Sequence, residues 1–221
     1  MRHRLLDAYN RLYAAYGPQH WWPGDSPFEI IVGAILTQSA AWTNVEKAIA
    51  NLKVAGALAP DALLALSERE LAQLTRPSGY FNAKARKLKA FIEMLNARFD
   101  GDLQRLLRTP PSELRALLLA TNGIGPETAD AITLYAAGQP AFVIDAYTRR
   151  TFSRLGFVPD ANSYDDWQRL FTDALPPDTA LFNEYHALIV RHGKDVCRKK
   201  PLCAECPLLD VCLTGKLTFP P

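Results

Sequence analysis

Apolar residues recur at helical spacing along almost the whole 221-residue chain, and this pattern restricts the fold more than any other feature. Only the apolar run 141–144 is strand-like, and it is short. We therefore predict an all-α fold with short loops. The predicted helices cover residues 5–16, 28–36, 43–52, 83–99, 126–136, 146–155, 164–175 and 181–192, with further helix starts capped by Ser67 and Ser112.

The composition indicates a folded protein and leaves the kind of partner open. The length of 221 residues is enough for one or two compact units, and because 48% of the residues are hydrophobic, we expect no disorder. The formal net charge is only +2. Any basic surface must therefore be local. The sequence has no 18-residue apolar run, and its start has no apolar signal-peptide core, so we expect no membrane span and a reducing, cytoplasmic location.

All four cysteines fall within sixteen residues near the C-terminus, at Cys197, Cys203, Cys206 and Cys212. In a reducing compartment such clustering favours a metal over disulfides. Zinc and a [4Fe-4S] cluster both accept four cysteines, but a single close pair flanked by two loops of five favours the cluster, in a structural role. Zinc and four metal-free thiols stay open as alternatives. The loop residues Arg198, Lys199 and Lys200 either contact phosphate or are simply solvated.

Two further segments carry residues with chemical potential. Gly123 and Gly125 permit a tight hairpin, and its amides, together with the following helix start at Pro126 and Thr128, can face a phosphate. An ordinary turn between helices remains the alternative. Asp145 stands between an apolar run and a helix, where it is either a plain N-cap or a carboxylate able to stabilise an oxocarbenium-like sugar and activate water.

In order and spacing, these features resemble the helix-hairpin-helix/Gly-Pro-Asp superfamily of base excision DNA glycosylases, which includes endonuclease III. The resemblance covers roughly residues 27–212. Segment 35–47 looks like the early helix pair of the family, and segment 78–87 looks like its Gly-x-x-Asn-x-Lys-Ala turn. The combination of motifs is specific, although each single motif is not.

The resemblance implies two helical domains with a DNA-binding cleft between them. One domain would span residues 27–137, and the other would join residues 1–26 to 138–221, with the cluster loop at 197–212. It also implies a monomer that binds damaged double-stranded DNA and flips the damaged nucleotide out of the duplex.

By the same resemblance, Gln38 would fill the space left in the duplex, and Tyr80 or Phe81 would wedge beside it. Asn82 and Lys84, in the same turn, would also contact DNA. Core packing is the alternative for the two aromatic side chains.

The chain departs from endonuclease III at the position of the lysine that forms a Schiff base, because this position holds Glu127. A carboxylate cannot form the imine that β-elimination requires, and Lys84, Lys87 and Lys89 lie on a different predicted helix. The resemblance therefore implies a monofunctional glycosylase in which Asp145 assists water. Two smaller departures are the Thr-Asn pair before the hairpin and a first cysteine spacing of five where endonuclease III has six.

Three tryptophans suggest which base is excised. Trp21, Trp22 and Trp42 resemble the pocket aromatics of the 3-methyladenine DNA glycosylase III branch, which also has a glutamate at the position of Glu127. Electron-rich rings favour a cationic alkylated purine, whereas core packing is the alternative. Two other functions stay open: a bifunctional glycosylase and lyase acting on oxidised pyrimidines, and a damage-binding protein with little or no turnover.

Overall fold

The computed structural model describes residues 1–218, which form thirteen α-helices and no strand, so the predicted all-α fold is confirmed. The helices are α1 (Arg2–Tyr16), α2 (Pro27–Leu36), α3 (Trp42–Val54), α4 (Pro60–Ala65), α5 (Glu68–Leu74), α6 (Phe81–Phe99), α7 (Leu103–Leu107), α8 (Pro111–Leu119), α9 (Pro126–Ala131), α10 (Ala146–Arg154), α11 (Tyr164–Thr172), α12 (Thr179–Asp195) and α13 (Leu213–Thr218). A π-helical turn, Ile132–Ala136, continues α9. Within the described range, none of the helices has both the length and the apolarity that crossing a bilayer requires.

Local chemistry sets several of the helix ends. The predicted cap at Ser67 is confirmed as a capping box, in which the Ser67 hydroxyl accepts from the Glu70 N–H and the Glu70 carboxylate accepts from the Ser67 N–H. The predicted cap at Ser112 is wrong. Helix α8 begins at Pro111, two residues before the start that a cap at Ser112 implies, because Pro111 has a preset φ and no N–H to satisfy. Pro110 is therefore the N-cap.

Contacts divide the chain into two compact units, and the first spans Trp22–Gln139. It contains α2 to α9 and the π-helical turn. Helix α2 is buried over most of its length, as its nearly continuous apolar sequence requires, and it packs against α3, α6 and the π-helical turn. This arrangement supports the segment around Gly123 with a rigid helical core.

The second unit joins Met1–Trp21 to the chain from Pro140 onward. Helices α1 and α10 both pack against α12 around a group of aromatic side chains. The strand-like run 141–144 contributes to this core: Phe142 is fully buried and stacks on Phe171 at 4.0 Å between ring centroids. The run is irregular, buried from Phe142 to Ile144, and leads directly into Asp145 at the start of α10.

Candidate functional site

The hairpin (residues 121–125) connects α8 to α9 and depends on two glycines with different roles. Gly123 has a φ of +81°, and the turn closes where the Ile124 N–H donates to the Thr121 carbonyl over 3.1 Å. Gly125 caps α9 with an extended backbone, and a Cβ at this position would meet nothing within 4 Å. The backbone at the start of α9 is consequently uncovered, and Glu127 is exposed in its first turn.

Gln38 is held against this hairpin. Its Nε2 donates to the Gly123 carbonyl over 3.1 Å and to the Thr128 hydroxyl over 2.9 Å. The Lys87 ammonium donates to the other end of the Gln38 amide, and the aliphatic part of Lys87 lies directly over Gly123. The structure thus brings three residues predicted from the sequence together with a lysine that was predicted only as a poor Schiff-base candidate.

The turn before α6 presents one aromatic side chain to solvent. Tyr80 has a left-handed backbone with a φ of 46°, and 75% of the residue is exposed. Phe81, the first residue of α6, is half-buried, and Asn82 is exposed. Of the two predicted wedge residues, Tyr80 is therefore the one that the turn leaves free of core packing.

Lys84 lies beneath the same turn and is 1% exposed. Its ammonium donates to the Ser78 carbonyl, so the side chain holds the turn from the inside. Burial, together with the nearby charge of Lys87, lowers the pKa of Lys84 to about 8. A direct contact between Lys84 and DNA stays a prediction, but this geometry supports a structural role instead.

Two of the three predicted pocket tryptophans stand beside an aromatic residue that the sequence did not indicate. The Trp22 ring meets Trp42 edge-on at 5.4 Å and Tyr135 at 5.1 Å between centroids. Tyr135 belongs to the π-helical turn, a deviation that often occurs at functional sites. Gly33 lies beneath this group: a Cβ added at Gly33 would be 3.4 Å from the indole nitrogen of Trp22. Trp21 is half-buried in the other unit.

Asp145 is the N-cap of α10, and its two oxygens have different surroundings. Oδ1 accepts from the Thr148 N–H over 2.7 Å and from the Thr148 hydroxyl over 2.8 Å. Oδ2 lies 3.7 Å from Nε2 of His186, and the carboxylate side chain keeps 12% exposure. Burial alone opposes ionisation, but His186 and Thr148 outweigh it and hold the pKa of Asp145 below its ordinary value. The geometry is therefore compatible with both predictions for Asp145, the plain N-cap and the charged carboxylate.

The four cysteines line a single, largely apolar cavity in the second unit. They are Cys197, Cys203, Cys206 and Cys212. Within residues 1–218, no three His, Cys, Asp or Glu side chains are arranged around a position for one metal ion. Four thiols around a hollow suit a four-iron cluster better than zinc, whose sulfur ligands all lie about 2.3 Å from one atom.

Hydrogen-bond donors point at two of these sulfurs. The Arg154 guanidinium donates to Cys197 Sγ over 3.2 Å, and the Gly215 N–H donates to Cys212 Sγ over 3.3 Å. Burial and the neighbouring thiols raise the pKa of Cys206 to about 11, so a bound metal would have to supply the positive charge that favours its thiolate. The loop that follows the first cysteine is exposed at all three of its basic residues, Arg198, Lys199 and Lys200.

Comparisons with known proteins agree with this architecture. Residues 32–177 match the family model described as the HhH-GPD superfamily base excision DNA repair protein. A protein of Methanocaldococcus jannaschii that is named as a DNA repair glycosylase is 45% identical over 95% of this chain and 96% of its own length.

Two solved structures are similar in fold. A non-covalent complex of endonuclease III with DNA superposes with a TM-score of 0.84 at 24% identity, covering 99% of this chain and 98% of that one. The 3-methyladenine DNA glycosylase of H. pylori, bound to 1,N6-ethenoadenine, superposes with a TM-score of 0.75 at 26% identity, covering 86% and 97%.

Proposed function

Because the chain belongs to the HhH-GPD superfamily of base excision DNA repair proteins, we propose that it is a monofunctional DNA N-glycosylase acting on alkylated purines. The observation that carries this proposal is the pair of carboxylates at the two key positions. Asp145 is held in its ionised form, whereas the position that would need a Schiff-base lysine is Glu127.

DNA binding is the first part of the proposal. The uncovered backbone at Gly125 and the start of α9 suits a phosphate group, since amides at a helix start attract anions. The exposed basic side chains of Arg198, Lys199 and Lys200 add positive charge. The similar endonuclease III structure is a complex with DNA, which supports the same partner here.

Base flipping needs a group that replaces the extruded nucleotide and a group that separates its neighbours. Gln38 and Tyr80 are our candidates, because Gln38 carries an amide at the hairpin and Tyr80 projects from a fixed turn. Trp22, Trp42 and Tyr135 would then offer aromatic faces to the flipped base. Such faces attract a cationic alkylated purine more strongly than a neutral base.

In the chemical step, the N-glycosidic bond breaks and the base departs with the bonding electron pair. The positive charge that develops on the sugar would be stabilised by the Asp145 carboxylate, which would also accept a proton as water adds to the sugar. No imine is required, and the three lysines of α6 that were considered as substitutes already donate to other groups. Lys84 donates to a buried carbonyl, Lys87 to Gln38, and Lys89 to carbonyls at the end of α4.

The cysteine cavity fits a [4Fe-4S] cluster, which Cys197, Cys203, Cys206 and Cys212 would hold. The cluster would supply structural cross-linking of the C-terminal segment, since four cysteine ligands leave no iron open to substrate. Arg154 and the Gly215 amide would support the ligand charge through their hydrogen bonds to sulfur.

Base release from DNA treated with dimethyl sulfate, followed by chromatography, tests the proposal. We expect the wild type to release 3-methyladenine and Asp145→Asn to be at least about a hundredfold slower while still binding DNA. Asp173→Asn, an exposed aspartate of the same unit, is the matched control and should keep full activity.

Borohydride trapping separates the two enzymatic alternatives. The wild type should give no covalent adduct with duplexes that contain an oxidised pyrimidine, because Glu127 cannot form an imine. A trapped adduct would support a bifunctional enzyme instead. Tight binding to damaged duplexes with no release of any base would support a damage-binding protein.

A further inference from the structure

We propose that His186 is a positioning residue for Asp145. It keeps the Asp145 carboxylate ionised and orients the second carboxylate oxygen, Oδ2, toward the substrate. This inference rests on the proposed function, because it assumes that the Asp145 carboxylate meets the substrate. The two carboxylate oxygens have different neighbours: Oδ1 accepts hydrogen bonds from Thr148, whereas Oδ2 lies 3.7 Å from His186 Nε2.

The two side chains come from helices that are held at a fixed separation. His186 lies on α12 and is 6% exposed, and Asp145 caps α10, which packs against α12. The contact is close at Gly193, where an added Cβ would lie 2.6 Å from the Tyr147 ring. Arg150 ties the same helices together by donating to the carbonyls of Gly193 and Cys197, each over 2.8 Å.

The distance between His186 Nε2 and Asp145 Oδ2 determines which interaction the imidazole can make with the carboxylate. A distance of 3.7 Å is long for a hydrogen bond but within reach of an ion pair, so a Nε2–H or an imidazolium favours a negative Oδ2 without covering it. Two other charged groups on these helices have partners elsewhere: Arg150 donates to carbonyls, and Glu184 accepts from the Gln19 N–H over 2.7 Å. His186 is therefore the cationic or donor group best placed to act on Oδ2.

The functional consequence is electrostatic. A buried carboxylate becomes protonated more easily than an exposed one, and a protonated Asp145 could neither stabilise the sugar cation nor accept a proton from water. Thr148 opposes protonation at Oδ1, and His186 opposes it at Oδ2. Without His186, we expect the carboxyl to protonate at higher pH and its second oxygen to lose its orientation.

The test compares His186→Leu, which removes the interaction, with His186→Gln, which retains an N–H donor. Single-turnover base release should fall about tenfold in His186→Leu, and the acid limb of its pH profile should move up by about one unit. His186→Gln should stay within about threefold of the wild type. Phe182→Leu, a buried packing change one turn earlier on α12, should lower the melting temperature without moving the acid limb.

Carbon-detected NMR titration of the Asp145 carboxyl, assigned with Asp145→Asn, gives a readout independent of activity. An unchanged carboxyl pKa in a folded His186→Leu protein would overturn the inference, as would leucine and glutamine variants that are equally slow with an unmoved acid limb. If instead Asp145→Asn releases bases normally, the proposed function fails, whatever the carboxyl titration shows.

Discussion

Nε2 of Gln38 donates to the Thr128 hydroxyl over 2.9 Å, although the two residues are 90 positions apart. We propose that the Gln38 amide fills the space left in the duplex, and in the free protein this amide is already bound to α9, the helix that follows the hairpin. To enter DNA, Gln38 has to exchange this hydrogen bond for new contacts. The strength of DNA binding should consequently depend on what holds Gln38 in place.

Thr128→Val removes that acceptor while preserving the shape of the side chain. Because one hydrogen bond contributes about 1 kcal/mol net, affinity for lesion-containing DNA should rise by about fivefold. Fluorescence anisotropy in an Asp145→Asn background measures binding without turnover. Thr133→Val is the control, because its buried hydroxyl donates to the Ala129 carbonyl and not to Gln38. A lower affinity in Thr128→Val would indicate that Thr128 contacts DNA itself.

The two hairpin glycines should respond differently to alanine. Gly123→Ala places a Cβ 2.3 Å from Lys87 Cγ at a φ of +81°, so we expect a loss of about 1–3 kcal/mol in the free energy of unfolding. Gly125→Ala meets open space and should change stability by less than about 0.5 kcal/mol. If the hairpin backbone faces a phosphate, Gly125→Ala should nevertheless weaken DNA binding. Urea unfolding and anisotropy separate the two effects, and normal DNA affinity in Gly125→Ala would contradict the proposed contact.

Local patterns predicted most of the longer helices, whereas the short helices α4, α7 and α13 were not predicted. The Ser67 capping box, the Gly-x-Gly hairpin and Asp145 at a helix start all follow from neighbouring residues, so the sequence alone was sufficient. Ser112 was mistaken for a cap because two adjacent prolines also begin helices, and Pro111 had the stronger effect.

The parts that the sequence did not reveal depend on contacts between distant positions. His186 is 41 residues from Asp145, and no local pattern separates it from a histidine that only fills the core. Tyr135 resembles an ordinary apolar position of a helix until the fold places it against Trp22. The burial of Lys84, which the sequence analysis predicted to contact DNA, could not be foreseen, because burial of its amine requires an acceptor that only the folded turn provides.

Buried Lys84 should make the stability of the protein depend on pH. Its pKa is about 8 in the folded protein, below the ordinary value of 10.5. Between these values the unfolded chain binds a proton that the folded chain does not, so stability rises with pH across this window. Relative to Lys84→Met, the wild type should therefore gain stability in urea unfolding from pH 8 to 10.5. A flat difference for Lys84→Met would refute the shifted pKa.

The cysteine cavity leads to a prediction that can be checked by eye. Purified protein should be brown, with absorbance near ~400 nm, because cysteine-ligated iron clusters absorb there. Cys203→Ser should lose iron, colour and thermal stability together, since the C-terminal segment would lose its cross-link.

Lys199→Ala serves as the control in the same loop, because Lys199 is exposed and Arg154 binds its backbone carbonyl, which the substitution retains. This variant should keep the colour but bind DNA more weakly, with a salt dependence reduced by about one phosphate contact. Elemental analysis decides between the metals. If the protein is colourless and contains one zinc per chain, the site holds a single ion and the cluster proposal is wrong. The four sulfurs would then have to move inward from the walls of the cavity to bind that ion.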